Sequence, residues 1–70
     1  MVGAAAMREA AVLVPIVARA EVGVQEVPRG SNGGPRVREY LAATWLGQGF
    51  PWCASFVSWC GLRALSLVGL

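Results

Sequence analysis

The sequence predicts a mainly α chain of about three helices. Apolar residues recur at helical spacing in three stretches, and clusters of Gly and Pro separate those stretches. Only Val22 to Val27 alternates at all in the manner of a strand, and weakly. Seventy residues make one small domain at most. A chain of that size buries only roughly 60% of the surface it exposes when unfolded, so its core is marginal. Yet 56% of the residues are hydrophobic, 14% are charged, and the mean hydropathy is +0.54. An apolar excess without an evident staple suggests a face that a further segment or another chain would cover.

The first element lies in the N-terminal third. Met1 to Met7 is small and apolar. A short helix over Ala4 to Leu13 is expected to precede a separate one that starts at Pro15, where a missing N–H costs nothing. Ile16, Val17, Ala20 and Val24 would form the apolar face of that second piece, with Arg19 and Glu21 toward water. Pro15 would kink or end any helix spanning the whole region. The same stretch has a competing reading as a signal peptide, with Arg8, an apolar run over Ala10 to Ala18, and Ala18-Arg19-Ala20 as a cleavage site. Glu9 beside Arg8, Pro15 within the run and the run's shortness weigh against it. No run reaches the 18 or so apolar residues of a membrane span, so membrane insertion is not expected.

Gln25 to Pro35 reads as loop, with three glycines and two prolines. Ser31 and Asn32 suit capping or Asx-type turns there. Pro35 to Leu46 reads as the next helix. Val37, Tyr40, Leu41 and Thr44 to Trp45 fall on one face, Arg36, Arg38 and Glu39 lie outside, and Gly47 is placed to follow the C-terminus. Trp45 and Trp59 are expected to pack. Gln48 to Pro51 is a turn. The last helix is expected from Trp52 to about Leu62, with Cys53, Phe56, Val57, Cys60 and Ala64 on its apolar face. Gly61 weakens it by roughly 1 kcal/mol relative to Ala, and Arg63 to Leu70 could extend it.

Chemistry concentrates at Cys53. A thiol in the first turn of a helix faces unpaired N–H groups and the positive end of the helix dipole, a setting in which cysteines act as nucleophiles. Cys60, two turns further along the same face, reads as core. If both lie on one helix their Cα atoms are about 10.5 Å apart. A disulfide needs less than roughly 7 Å, so none is expected between them. The chain has no histidine. A Cys-His pair therefore cannot be assembled within it, nor can a histidine-containing zinc site, and two cysteines are too few for a structural one. No metal or cofactor is expected. The net charge of +2 comes from six scattered arginines, which lack the clustering of a nucleic-acid footprint.

Two blocks in order carry a family likeness. The first is Glu26-x-Pro28-x-Gly30-Ser31-Asn32-x-Gly34-Pro35-x-Val37-x-x-Tyr40-Leu41. The second is Gly49-x-Pro51-Trp52-Cys53-Ala54-x-Phe56-Val57-x-Trp59-Cys60. Together they resemble the start of a CHAP domain, the cysteine, histidine-dependent amidohydrolases and peptidases of the NlpC/P60-like, papain-like superfamily. The resemblance covers about residues 15 to 62. It implies that Cys53 is the nucleophile and that Trp52 shapes the substrate groove. It implies a structural role for Ser31, Asn32 and Gly34 in their loop. It also implies a bacterial or phage cell-wall hydrolase, acting outside the cytoplasm on amide bonds of peptidoglycan.

In that family a β-sheet bearing the histidine and a third, orienting residue follows the cysteine helix. These have no counterpart here. The expectation is therefore the N-terminal helical half of an α+β papain-like fold without its sheet: residues 15–70, preceded by an extension over 1–14, and inactive alone for want of the base. The competing expectation is a non-enzymatic helical module whose apolar faces bind a partner or associate with a membrane.

Overall fold

In a computed structural model, which describes residues 3–69, the chain forms three helices: α1 (Ala4–Ala20), α2 (Pro35–Ala42) and α3 (Cys53–Leu67). No strand occurs among the described residues, so the fold is mainly α, and Val22 to Val27 is irregular. The chain divides into two compact units, Met1–Val22 with Cys60–Leu70, and Gly23–Trp59.

In the first unit, α1 is one continuous helix that contains Pro15, against the expected break there. Pro15 cannot donate to the carbonyl of Ala11, but both residues are exposed, so water can take the bond the ring forfeits. Continuity resets the helical phase. Ala10 and Val17 are buried, with Leu13 and Val14 half-buried between them, an i, i+3, i+4, i+7 stripe. Ile16, expected on the apolar face, is 60% exposed, and Glu21, expected toward water, is half-buried. The second half of α3 presents buried Cys60 and Ala64 to this unit. Met7, Ala10, Ala11, Val14, Gly61 and Leu65 line an apolar hollow.

The second unit is built on α2. Val37, Tyr40 and Leu41 are its fully buried core, with Val24, Trp52, Phe56 and Trp59 packed against them. Tyr40 is the hub: its ring lies 5.5 Å from that of Trp52 in a stacked arrangement, and edge-on to Phe56 at 4.8 Å and Trp59 at 5.1 Å. Offset and edge-to-face geometries of this kind each add about 0.5–1.5 kcal/mol beyond the area they bury. The first turns of α3 are thus set on α2 by three aromatic side chains, at positions 52, 56 and 59, one helical stripe.

Helix α2 is shorter than its pattern suggests. It ends at Ala42, and the chain leaves through a Schellman-type turn. The N–H of Trp45 donates to the Ala42 carbonyl (3.0 Å) and that of Leu46 to the Leu41 carbonyl (2.9 Å). The left-handed residue is Trp45, with φ of 60°, and not Gly47. Its indole stands 96% exposed, so Trp45 does not pack as expected: the left-handed backbone turns its side chain off the helix face that carries Val37, Tyr40 and Leu41. Trp59 does pack.

Candidate active site

The features that point to chemistry lie in the second unit, where α3 begins. Trp52 is the residue before the helix, and its carbonyl accepts the first helical bond from the Phe56 N–H at 2.8 Å. The N–H groups of Cys53, Ala54 and Ser55 are the first-turn donors that a helix leaves without an intrahelical carbonyl. Cys53 is exposed and its thiol is free. Val57, one turn on, is 65% exposed. Cys53 and Val57 therefore do not belong to the packed face on which the spacing places them. That face is rotated toward Ser55, Phe56 and Trp59, because the aromatic stripe 52/56/59 takes the contact with Tyr40. The rotation leaves the thiol outward.

Ser55 is the polar residue within the packed face, only 3% exposed. Its hydroxyl pairs with that of Thr44 at 2.6 Å, and Thr44 in turn donates to the Leu41 carbonyl at 3.2 Å. Thr44 has one proton. Giving it to Leu41 makes Ser55 the donor in the hydroxyl pair. This relay joins the end of α2 to the first turn of α3, across the turn that delivers Cys53.

The glycine-rich loop is folded around a carboxylate. Glu26 accepts the N–H of Gly30 at 2.7 Å through one oxygen and the indole N–H of Trp52 at 2.8 Å through the other. The Trp52 bond holds its carboxyl below the usual carboxylate range. Burial pushes the other way, and backbone N–H groups of Gly30 and Asn32 add to the lowering. Pro28 to Ser31 is a turn closed by the Ser31 N–H on the Pro28 carbonyl at 3.1 Å. Gly30 has the φ of 80° that a type II turn needs at its third residue. The Val27–Pro28 peptide bond is cis.

The same loop is tied to the segment leading into α3. Gly34 donates to the Gln48 side-chain oxygen at 2.9 Å, and Gly49 to the Asn32 carbonyl, also at 2.9 Å. The residues singled out in the loop are thereby placed. The Ser31 hydroxyl bonds the Pro28 carbonyl, Asn32 holds a left-handed φ of 54°, and Gly34 precedes α2 at φ 109°. A Cβ on Gly34 would stand 3.0 Å from the Val27 nitrogen.

Trp52 is held from three sides, by Tyr40, by Phe56 at 6.3 Å edge-on, and by Glu26. Cys60 is 1% exposed. Burial, and secondarily the Glu21 carboxylate, push its thiol up from the ordinary value, as suits an inert core cysteine. Nearby, Arg36 lies over the Trp59 ring at 5.1 Å and pairs with Glu39 at 2.7 Å. Among the described residues no cluster of three metal-ligating side chains occurs and no helix is long and apolar enough to cross a membrane.

Glu26, Gln48 and Ser55 are the site residues that spacing alone does not reveal. Glu26 had one legible signal: a buried-prone tryptophan beside the cysteine needs an acceptor for its N–H, and the chain has only four carboxylate side chains to offer. Gln48 and Ser55 act through contacts across the unit and leave no periodic trace. Comparison of the chain with family models, with curated proteins and with solved structures finds no match.

Proposed function

We propose that the chain carries the nucleophile-bearing part of a peptidoglycan hydrolase, a cysteine amidase or endopeptidase of the CHAP kind. The observation that carries this reading is the exposed thiol of Cys53 in the first turn of α3, next to a tryptophan whose ring is fixed on three sides. The Cys53 thiolate would attack an amide carbonyl of a stem peptide, or the amide joining that peptide to the glycan. The first-turn N–H groups, which have no intrahelical carbonyl, would receive the oxyanion. Collapse of the tetrahedral intermediate expels the amine, which takes a proton from the general acid, and leaves a thioester that water then cleaves. The acid and base must come from outside these residues, since the sequence holds no histidine.

That requirement makes the test. The purified chain is incubated with isolated peptidoglycan, with and without imidazole, and the release of free amino groups is followed. We expect no release without imidazole, slow release with it, and none from Cys53→Ser under either condition. Absence of imidazole-dependent release, or its persistence in Cys53→Ser, would overturn the assignment.

A second reading, a non-enzymatic interaction module, draws on the large apolar side chains left in water. Val12 and Ile16 are adjacent on α1 at 69% and 60% exposure, and Trp45 is almost fully exposed. Concentration-dependent self-association by sedimentation, unaffected by Cys53→Ser, would favour it.

A further inference from the structure

We propose that α1 pairs with α1 of a second copy of the chain, antiparallel and about a two-fold axis, through the outward stripe that carries Glu9, Val12, Ile16 and Arg19. The pairing goes beyond the hydrolase reading. It rests on the second reading, an interaction module, and gives that module its partner.

Helix α1 has two apolar stripes. Ala10 and Val17 mark the buried one. Val12 and Ile16 mark the other, at 69% and 60% exposure. At about 100° per residue, Glu9, Val12, Ile16 and Arg19 fall within an arc of about 80°, roughly 130° round the helix from Ala10 and Val17. Glu9 and Arg19 are exposed as well. They stand about 15 Å apart along the axis, too far to pair with each other. Neither has an ion pair among the described residues. Two apolar side chains flanked by charges of opposite sign are thus left in water.

Val14 lies midway between Val12 and Ile16, and midway between Glu9 and Arg19. A two-fold axis at that level makes the stripe its own complement. Val12 then meets Ile16 of the second copy, and Ile16 meets its Val12, in one apolar centre. Glu9 meets Arg19 of the second copy, and Arg19 meets its Glu9, so an ion pair closes each side of that centre. Arg8, the remaining charged residue of α1, falls opposite Ala20 and meets no like charge. Parallel pairing in register sets Glu9 against Glu9 and Arg19 against Arg19, and like charges repel. Charge complementarity therefore selects a second copy in one orientation. Beside the stripe, Glu9, Val12 and Leu13 line a hollow of about 550 Å³ with Leu67 and Val68, which gives the Ile16 side chain of the second copy room to settle. One helix face from each chain falls short of the roughly 800 Å² per partner of a standard interface, so the dimer is weak and forms at high concentration.

Sedimentation equilibrium of the full chain, carried to millimolar concentration, tests the pairing. The wild type should associate reversibly to a dimer. Glu9→Arg alone and Arg19→Glu alone should each weaken association about tenfold or more, because the two-fold axis turns each change into two like-charge contacts. The double variant, which keeps the wild-type net charge, should regain a dimer of about wild-type strength. So should an equimolar mixture of the two single variants, a recovery that a misfolded variant could not show. Val12→Gln with Ile16→Gln should abolish the dimer and leave the far-UV circular dichroism unchanged, since both side chains are exposed in the single chain.

Loss in the single variants without recovery in the double variant and the mixture would overturn the proposal. So would equal association across all the charge variants, which would leave the module reading standing on a different surface. A wild type that stays monomeric at every concentration would overturn it too, and would leave the stripe to an unlike protein or a lipid surface. The peptidoglycan assay is untouched by any of these outcomes.

Discussion

Replacing Thr44 should cost more than replacing its partner Ser55, although the two share one hydrogen bond. In the relay, Ser55 donates to Thr44 and Thr44 donates to Leu41. Ser55→Ala removes a donor from a half-buried hydroxyl that keeps its bond to Leu41, so the loss should be about 1 kcal/mol, the net worth of one hydrogen bond. Thr44→Val removes the acceptor and strands the Ser55 hydroxyl at 3% exposure. The desolvation of an unsatisfied buried group then adds, for a total of about 2–3 kcal/mol. Val and Thr are both β-branched, so backbone preference changes little. The double variant buries no stranded hydroxyl and should return to about 1–1.5 kcal/mol, less than Thr44→Val alone. Urea unfolding followed by tryptophan emission suits the question, because Trp45, Trp52 and Trp59 all lie in the unit Gly23–Trp59. With a slope on the order of 1 kcal/mol/M for a small domain, the two single variants should differ in midpoint by about 1–2 M. Equal midpoints, or a double variant worse than Thr44→Val, would refute the direction of the relay. Ser55 would then be turning its proton to a carbonyl of the preceding turn.

Trp45→Gly should stabilise the protein by about 1 kcal/mol, because a left-handed C′ residue with a side chain is strained and this indole is 96% exposed; a lower urea midpoint would show that the indole has a packing role. Gly34→Ala should destabilise by at least about 1–2 kcal/mol, combining a φ of 109° with a Cβ 3.0 Å from the Val27 nitrogen; a wild-type midpoint would mean that the loop gives way freely. The pH dependence of stability should carry the signature of Glu26. Its folded pKa is lowered from an ordinary value of 4.5, so its contribution is complete above that pH and is lost as the pH falls through the folded value. Urea midpoints of the wild type should therefore drop more steeply on acidification below 4.5 than those of Glu26→Gln, and parallel profiles would contradict the lowered pKa.

What was legible in the sequence is what periodicity encodes. Val37, Tyr40 and Leu41 stand at i, i+3 and i+4 and are the fully buried core, and the loop between α1 and α2 is announced by its glycines and prolines. Pro15 misled because its cost is a local quantity of about 3 kcal/mol, which the packing of a longer apolar stripe through Ala10 and Val17 can offset. The end of α2 misled for a similar reason. Gly47 is the better left-handed residue by intrinsic preference, but the bonds of Trp45 and Leu46 to α2 carbonyls and the Thr44–Ser55 relay fix the exit two residues earlier. On α3 the apolar periodicity fits two faces. Only the aromatic hub at Tyr40 selects between them, and Tyr40 is remote from α3 in sequence.

That selection bears on the thiol. Had the first turns of α3 packed through Cys53 and Val57, the cysteine would have been sequestered against α2. Burial of a thiol in apolar surroundings disfavours its ionised, nucleophilic form. The stripe 52/56/59 instead places Trp52 and Phe56 on Tyr40, seats the small Ser55 beside Thr44, and turns Cys53 to solvent. The indole that makes this rotation favourable is the one whose N–H the Glu26 carboxylate accepts. Loop, tryptophan and thiol orientation are thus one arrangement, joining residues 26 apart in the chain. A variant that exchanges the stripe, Trp52→Ala with Phe56→Ala, should free α3 to rotate and lower the iodoacetamide reactivity of Cys53 while the Val37–Leu41 helix persists. Undiminished reactivity in that folded variant would show that the thiol's exposure is set by the helix start alone.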